Sequence, residues 1–261
     1  MRDLAITLVQ CELAWEQPED NRRQIGTLIE SLAKPTDLIV LPEMFTTGFS
    51  MNALANAEEP GGPTEHWLRD LAQRHNCALT GSIAVRDRDG VYNRMLFATP
   101  QNTVYYDKRH LFRMAGEHKR YQAGEQRVTV EWRGWRILLQ VCYDLRFPVF
   151  SRNQNDYDLV LYVANWPARR RMHWRQLLIA RAIENLACVI GVNRVGSDAN
   201  GLDYSGDSLA VAGDGTLLVD LTNENGTTQL LLDGAALTSY REGFPCQLDA
   251  DSFQLDGEIT L

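Results

Sequence analysis

The chain has 261 residues, of which 44% are hydrophobic, and this is enough for a sizeable core in one or two domains. We expect one domain that spans residues 1–261. Its 26 lysines and arginines stand against 34 acidic residues, and the resulting net charge of -8 argues against a general nucleic-acid binder. No run approaches the ~20 apolar residues that span a bilayer, so we expect no membrane partner. The partner is expected to be a small molecule or another subunit.

The N-terminus and the cysteines indicate a cytoplasmic protein. The first apolar stretch is broken by Gln10, Cys11 and Glu12, so it lacks the long apolar region and the cleavage site of a secretory signal. The five cysteines form an odd set without a Cys-x-x-Cys pair. Reduced thiols fit this set better than a disulfide framework or a zinc site.

In the first half of the chain, short β-rich runs alternate with helical patterns. Strands are predicted over residues 4–9, 37–41, 78–85, 91–99 and 104–107, and helices over residues 19–32 and 64–75. Thr64 follows Gly61-Gly62-Pro63 and is predicted to be the N-cap of the second helix. Asp89-Gly90 is predicted to be the turn of a hairpin.

The second half continues the alternation. Strands are predicted over residues 127–132, 135–141, 159–164, 188–192, 208–212, 217–221 and 228–232. A helix is predicted over residues 171–186, and its apolar residues cover more than one face. We therefore expect that helix to pack on a sheet and also on a second subunit. The mixture of hairpins and strand–helix units predicts an α/β sandwich.

Three reactive residues follow three of the predicted strands. Glu43 comes after the run that ends at Leu41, Lys108 after the run that ends at Asp107, and Cys142 after the run that ends at Val141. The carboxyl ends of strands in α/β sheets open onto the binding crevice. The sequence thus permits these three side chains to converge, although 65 (108 − 43) and 34 (142 − 108) residues separate them.

The three residue types suit the hydrolysis of an amide. Such a reaction needs a strong nucleophile, proton delivery to the leaving nitrogen and a cation for the oxyanion. A nearby Lys108 is expected to favour the thiolate of Cys142, while a Glu43 shielded from water can exchange a proton near neutral pH. Singly, each residue also has a structural interpretation, namely core packing for the cysteine, a turn or cap for the glutamate and solvated surface for the lysine.

Histidine leaves a rival interpretation open. The chain has five histidines that could form a Cys–His dyad, at positions 66, 75, 110, 118 and 173. No local pattern selects one of them as a base.

Three segments resemble, in order, the three signatures of the nitrilase superfamily. They are Leu-Pro-Glu-Met-Phe at 41–45, Tyr-Asp-Lys-Arg-His-Leu-Phe at 106–112 and Val-Cys-Tyr-Asp-Leu-Arg-Phe-Pro at 141–148. The resemblance continues through residues 180–185, which look like the interface helix of that family, and through 206–208. In detail it is greatest to the bacterial omega-amidases. It implies a four-layer α-β-β-α sandwich and at least a dimer that packs through residues 171–186.

The resemblance also implies residue roles. Glu43 would be the general base, Lys108 the cation that stabilises the oxyanion, and Cys142 the nucleophile. The second active-site glutamate of the family matches Glu117, and the loop at 121–124 matches as well. The backbone N–H of Tyr143 would share in stabilising the oxyanion. No metal or organic cofactor has a required place.

The implied substrates are small carboxamides such as 2-oxoglutaramate and 2-oxosuccinamate, whose distal carboxylate needs a donor. Arg146 and Arg113 are candidates, because a guanidinium can bind a carboxylate bidentately. Either can equally form a structural ion pair, Arg146 most simply with Asp144. The basic run at 169–171 is typical of a solvated helix start.

Three aromatic residues are candidates for the wall of the pocket, namely Phe49, Tyr143 and Trp166. Core packing is the alternative for each of them. Trp166 is favoured because it follows a predicted strand and matches a loop of the family.

Two alternative functions stay open. The same three residues would serve cleavage of another C–N bond, as in a carbamoyl compound, deaminated glutathione or a nitrile. A binding or scaffold subunit without turnover is a different class, but it would have no need to keep Glu43, Lys108 and Cys142 together.

Overall fold

The computed structural model describes residues 1–87 and 90–254. Strands dominate these residues. In chain order they are β1 (Leu4–Gln10), β2 (Leu38–Val40), β3 (Ala78–Asp87), β4 (Gly90–Ala98), β5 (Thr103–Asp107), β6 (Thr129–Trp132), β7 (Trp135–Val141), β8 (Leu159–Ala164), β9 (Cys188–Asn193), β10 (Val195–Ser197), β11 (Asp203–Ser205), β12 (Leu209–Val211), β13 (Leu217–Asp220) and β14 (Gly226–Leu232).

The helices lie between and after these strands. They are α1 (Pro18–Glu30), α2 (Ala53–Asn56), α3 (Pro63–His75), α4 (Pro148–Ser151), α5 (Arg171–Asn185) and α6 (Gly234–Gly243). Short 3-10 segments occur at Arg113–Ala115, Glu117–Lys119, Cys142–Arg146, Ala168–Arg170 and Cys246–Asp249. Within residues 1–87 and 90–254, none of the helices combines the length and the apolar character that crossing a bilayer requires.

The strands form two sheets of six and a separate two-stranded hairpin. The first sheet has the order β14-β1-β2-β3-β4-β5, and the second has the order β13-β12-β9-β8-β7-β6. In the first sheet β1, β2 and β3 are parallel, and in the second sheet β7, β8 and β9 are parallel. The hairpin joins β10 and β11. Since each sheet contains a parallel centre, the carboxyl ends of several strands share one edge.

Apolar faces of the two sheets form the main core between them. Leu8 and Val40 of the first sheet belong to the same buried cluster as Ile137 and Val163 of the second. Helices α1 and α3 cover the outer face of the first sheet through residues such as Ile25 and Leu68. Helix α5 covers the outer face of the second sheet. The layers therefore run helix, sheet, sheet, helix, and the predicted α-β-β-α sandwich is confirmed.

The contact between α5 and its sheet is unusually close at Gly191 of β9. A Cβ atom on this glycine would lie 2.4 Å from Leu178 Cδ1 and 2.8 Å from Trp174 Cζ2. Both side chains are fully buried. Only a residue without a side chain lets the helix rest on the strand at this distance, so the close packing of α5 depends on Gly191.

Helix α3 begins in a way that the sequence did not predict. The N-cap is Gly62, with Pro63 and Thr64 already inside the helix. The backbone N–H of Thr64 donates to Glu58 Oε2 at 2.7 Å, so a glutamate from the preceding loop satisfies the first turn. The prediction of Thr64 as N-cap is wrong, because Pro63 starts the helix with its fixed φ and leaves Thr64 buried against Glu58.

The predicted long strands and helices are confirmed, with ends that differ by a few residues. The hairpin of β3 and β4 is confirmed by the pairing of Asp87 with Gly90, although Asp89 lies outside the described residues. The turn between β6 and β7 has φ values of 53° at Arg133 and 82° at Gly134, as a tight hairpin requires. The sequence did not predict the β10–β11 hairpin or the helices α2, α4 and α6.

Candidate active site

The three predicted reactive residues lie at strand ends that meet between the sheets. Lys108 directly follows β5, and Glu43 comes three residues after the end of β2, both in the first sheet. Cys142 directly follows β7 of the second sheet. The site therefore forms only where the two sheets face each other.

The backbone turns sharply at the cysteine. Cys142 has a φ of 46°, in the left-handed region that residues with a Cβ rarely adopt. The 3-10 segment Cys142–Arg146 starts at this point, so the N–H of Tyr143 lies in a first turn, where backbone donors have no acceptor within the helix. The strand end thus presents a thiol and a free backbone donor side by side.

Asp144 holds this turn in place. Its buried carboxylate accepts from the backbone N–H of Val141 at 3.0 Å, from the backbone N–H of His110 at 2.9 Å and from the Tyr106 hydroxyl at 2.8 Å. The His110 ring also contacts it, with Nδ1 2.7 Å from Oδ1. Bonds to both sides of the site tie the turn that carries Cys142 to the segment that carries Lys108.

Lys108 lies between two carboxylates. Its Nζ donates to Glu43 Oε1 at 2.9 Å and to both carboxylate oxygens of Glu117 at 3.0 Å. The three side chains are completely buried. These charge-assisted hydrogen bonds to two carboxylates fix the position of the ammonium.

Asparagines orient the two glutamates. Asn93 Nδ2 donates to Glu43 Oε1 at 2.8 Å and lies 3.3 Å from Glu117 Oε1. Asn165 donates to Glu43 twice, from its backbone N–H to Oε2 at 2.8 Å and from its side chain to the backbone oxygen at 2.5 Å. The backbone N–H of Phe112 donates to Glu117 Oε2 at 2.5 Å. Both carboxylates are held by donors that do not depend on Lys108.

Burial and the neighbouring charges shift the pKa of Lys108 and of Glu117. Burial opposes the ammonium, but the charges of Glu117 and Glu43 outweigh it, so the pKa of Lys108 lies above its ordinary value. Burial raises the pKa of Glu117, and Lys108 offsets only part of that shift. Lys108 is therefore a permanent cation at neutral pH.

Opposing effects act on the pKa of the Cys142 thiol. Burial, followed by the negative charge of Glu43, raises the pKa of Cys142 well above its ordinary value, while Lys108 lowers it only in part. Lys108 thus favours the thiolate, as predicted, but burial and the charge of Glu43 outweigh its effect. The balance of these effects favours the protonated thiol in the free protein.

Cys142 and Lys108 open onto a cavity of about 240 Å³. The predicted aromatic residues Phe49, Tyr143 and Trp166 all line it. The ring centroid of Phe49 lies 5.1 Å from Lys108 Nζ, within the range of a cation–π contact. The Asn193 side chain makes two hydrogen bonds to the backbone of Trp166. It accepts from the Trp166 N–H at 2.8 Å and donates to the Trp166 carbonyl oxygen at 3.0 Å. These contacts give the cavity a rigid aromatic wall.

The two arginines predicted to bind a carboxylate lie in different places. Arg146 lines the cavity, with its guanidinium carbon 4.8 Å from the Trp166 ring and Nη2 3.0 Å from His173 Nδ1. It does not pair with Asp144 in the described structure, which rules out the simplest structural interpretation. Arg113 lines a neighbouring depression instead, because its 3-10 turn directs Met114 and Ala115 toward the cavity.

The three arginines at 169–171 also have different surroundings. Arg169 and Arg170 line the cavity, whereas Arg171 forms an ion pair with Asp207, with Nη2 2.5 Å from Oδ1. The expectation of a solvated helix start is therefore wrong for Arg170, which is half-buried in the cavity wall. Over the described ranges, no histidine lines this cavity, so the geometry does not favour a Cys–His dyad.

Sequence reasoning missed several residues of the site. Asn93 gave a weak signal, since asparagine is uncommon inside strands and here interrupts an apolar run. Asn165 and Asn193 follow or end strands, but nothing local separates them from ordinary turn residues. Leu202 and Tyr204 line the cavity from the β10–β11 hairpin, which the sequence did not predict.

The profile of the carbon-nitrogen hydrolase family matches residues 5–242. The chain belongs to this family. The carbon-nitrogen hydrolase is 51% identical to the omega-amidase YafV of Escherichia coli K12 over 257 residues, which cover 98% of this chain and 100% of the relative. It is 34% identical to the 2-oxoglutaramate amidase of Bacillus subtilis over 246 residues, which cover 92% of this chain and 95% of the relative.

A solved structure agrees with the fold of this carbon-nitrogen hydrolase. The CN-hydrolase superfamily protein XC1258 of Xanthomonas campestris, which carries an arsenic adduct in its active site, superposes with a TM-score of 0.96. It is 50% identical, and the match covers 98% of this chain and 100% of that one. The architecture and the family that the sequence predicted are thus both confirmed.

Proposed function

We propose that this carbon-nitrogen hydrolase is a cysteine-dependent omega-amidase. It hydrolyses the terminal amide of 2-oxoglutaramate or 2-oxosuccinamate to the dicarboxylate and ammonia, through a thioester on Cys142. The observation that carries the proposal is the Lys108 ammonium, fixed at 2.9–3.0 Å from two buried carboxylates beside a thiol that opens onto the cavity. The names of the relatives YafV and 2-oxoglutaramate amidase support the substrate class.

The acylation step uses the raised pKa of the thiol. The Cys142 sulfur attacks the amide carbon while its proton passes to Glu43, so no free thiolate has to form first. Lys108 and the N–H of Tyr143 stabilise the oxyanion of the tetrahedral intermediate. Glu43 then gives the proton to the amide nitrogen, ammonia leaves, and the acyl group stays on Cys142 as a thioester.

The deacylation step returns the protein to its starting state. Glu43 takes a proton from a water molecule, the hydroxyl oxygen attacks the thioester carbon, and the oxyanion again forms beside Lys108. The carbon–sulfur bond then breaks, and the proton on Glu43 returns to the Cys142 sulfur. Glu117 has the role of holding Lys108, since it contacts the ammonium through both oxygens and is not among the residues that line the cavity.

Ammonia release from a panel of amides, carbamoyl compounds and nitriles tests the activity. The proposal expects 2-oxoglutaramate and 2-oxosuccinamate to give the highest kcat/KM. A preference for a carbamoyl compound or a nitrile would keep the chemistry and reject the substrate class. A rapid acid quench should show the acyl mass on Cys142, and a folded Cys142→Ala variant should show neither turnover nor the added mass.

We also propose that residues 1–261 act as one hydrolase domain and that the protein is at least a dimer. The supporting surface is on α5, where Met172 and Ile183 are 64% and 50% exposed in one protomer. Light scattering at micromolar concentration should give the mass of a dimer, and Ile183→Asp should shift it toward the monomer. A monodisperse wild-type monomer would reject the assembly.

A further inference from the structure

One wall of the active-site cavity carries three arginines. Arg146, Arg169 and Arg170 line the cavity, and no aspartate or glutamate lines it within the described residues. The neighbouring arginines on helix α5 are paired, Arg171 with Asp207 and Arg175 with Asp220. The arginines of the wall have no carboxylate within 4.0 Å among residues 1–87 and 90–254. This side of the cavity is therefore electropositive and uncompensated.

Of the two half-buried arginines in this wall, Arg146 contacts His173 Nδ1, whereas the Arg170 guanidinium makes no hydrogen bond within the described residues. The backbone of Arg170 is fixed, because its carbonyl oxygen accepts from the Trp166 indole N–H at 2.8 Å. Its guanidinium carbon lies 5.2 Å from the ring centroid of Phe112, another residue of the cavity. Over the described chain the guanidinium itself donates no hydrogen bond. The guanidinium thus lies near an aromatic ring, and its N–H donors stay free for a ligand.

The surroundings disfavour the charge that Arg170 carries. Burial lowers its pKa below the ordinary arginine value, and the charges of Arg169 and Arg146 lower it further. Gathering like charges at a half-buried position costs stability unless an anion joins them. An arrangement of this kind is expected where the missing anion is a ligand.

We propose that Arg170 is a specificity-determining residue that binds, together with Arg146, the distal carboxylate of the substrate. The proposal rests on the omega-amidase function. Arg146 is oriented by the Trp166 ring and His173, and Arg170 contributes free donors from the adjacent turn. A guanidinium pairs two N–H groups with two carboxylate oxygens, so the two arginines select an amide that ends in a carboxylate. The aromatic wall then has to accommodate only the short carbon chain.

The test compares one charged and one neutral substrate. The charged substrate is 2-oxoglutaramate, and the neutral one is 4-oxopentanamide, in which a methyl group replaces the carboxylate. We expect Arg170→Gln to lower kcat/KM for 2-oxoglutaramate by roughly 10- to 100-fold, mainly through KM, and to leave 4-oxopentanamide unchanged. Arg170→Lys should recover part of the loss, because it keeps the charge and loses the paired donors.

Two controls separate this role from a structural one. Arg23→Gln removes the same charge from an exposed position on α1 and should change neither substrate. Binding of 2-oxoglutarate, followed by calorimetry in the Cys142→Ala background, should weaken on adding Arg170→Gln by the same factor as KM. An equal loss on both substrates, or no loss on 2-oxoglutaramate, would overturn the assignment of Arg170. Absence of turnover of 2-oxoglutaramate by the wild-type protein would instead reject the omega-amidase function, whatever the variants do.

Discussion

The ammonium of Lys108 lies 2.9 Å from Glu43 Oε1, and both side chains are completely inaccessible to solvent. Removing one partner of such a pair leaves the other as an uncompensated buried charge. Here Glu117 would also lose its contact with Lys108, so two carboxylates bonded to Asn93 would face each other. The pair therefore couples activity to stability.

Lys108→Met tests this coupling. We expect turnover to fall by roughly 10²- to 10³-fold, because the oxyanion loses its cation. We expect the free energy of unfolding to fall by about 3–5 kcal/mol, because the carboxylates are left unpaired. Urea denaturation and single-turnover kinetics measure the two effects. Lys119→Met, at an exposed position of the same loop, is the matched control and should change neither. A Lys108→Met variant with wild-type stability would contradict the buried pair.

Glu117→Gln tests the role of the Glu117 charge, because glutamine has nearly the same size and shape but no charge. Burial raises the pKa of Glu117 above its unfolded value. The contribution of Glu117 to stability therefore falls as the pH rises above about 4.3, the ordinary glutamate value, whereas glutamine does not titrate. The stability of Glu117→Gln relative to wild type should accordingly increase with pH. Turnover should fall by roughly 10²-fold as Lys108 loses its second anchor. Glu125→Gln, at an exposed position, should show neither trend.

The pH dependence of thiol alkylation tests the protonation state of Cys142. Its raised pKa means that the alkylation rate with iodoacetamide should still be rising above about pH 8.5, where a free cysteine is half ionised. Glu43→Gln removes the negative charge that opposes the thiolate, so the profile should move to lower pH while turnover is lost. Mass spectrometry of the peptide that contains Cys142 gives the rates. A plateau below pH 8.5 in the wild-type protein would show that Lys108 dominates after all.

Asp144→Asn tests the support of the nucleophile turn. An amide in place of the carboxylate directs its N–H₂ group at donors from Val141, His110 and Tyr106. We expect a loss of about 1–3 kcal/mol in stability and a fall in kcat with little change in KM. Asp249→Asn, which is exposed, is the control. Rates of Asp144→Asn that match wild type would show that the turn holds its shape without this carboxylate.

The amino-acid sequence was sufficient to predict the features that depend on a local pattern of apolar and polar residues. The alternating apolar runs predicted the strands, and the position of Glu43, Lys108 and Cys142 after three of them showed that these side chains could converge. The four-layer arrangement came from the family resemblance, since periodicity alone indicated only an α/β sandwich. The proximity of these side chains follows from the shared strand direction, which a sequence pattern can indicate.

The sequence did not predict features that depend on contacts between segments far apart in the chain. Asn93 bonds to Glu43 across 50 residues of chain, and Asn165 bonds to it across 122. Arg170 looked like solvated surface, because nothing in the run Arg169-Arg170-Arg171 shows that Asp207 pairs with the last member and leaves Arg170 in the cavity wall. The raised pKa of Cys142 likewise depends on burial and on two opposed charges whose distances no spacing reveals.

The position of the site between the two sheets has a consequence for how the chain gains its activity during folding. The first sheet closes when β14 pairs with β1, joining Leu4 to Leu232, so it requires nearly the whole chain. Contacts of such long sequence separation form late, since loop closure is entropically costly. Cys142 meets Glu43 and Lys108 only after the faces of both sheets dock. Turnover regained during refolding should therefore lag behind the recovery of secondary structure, which makes catalysis a reporter of the final docking step.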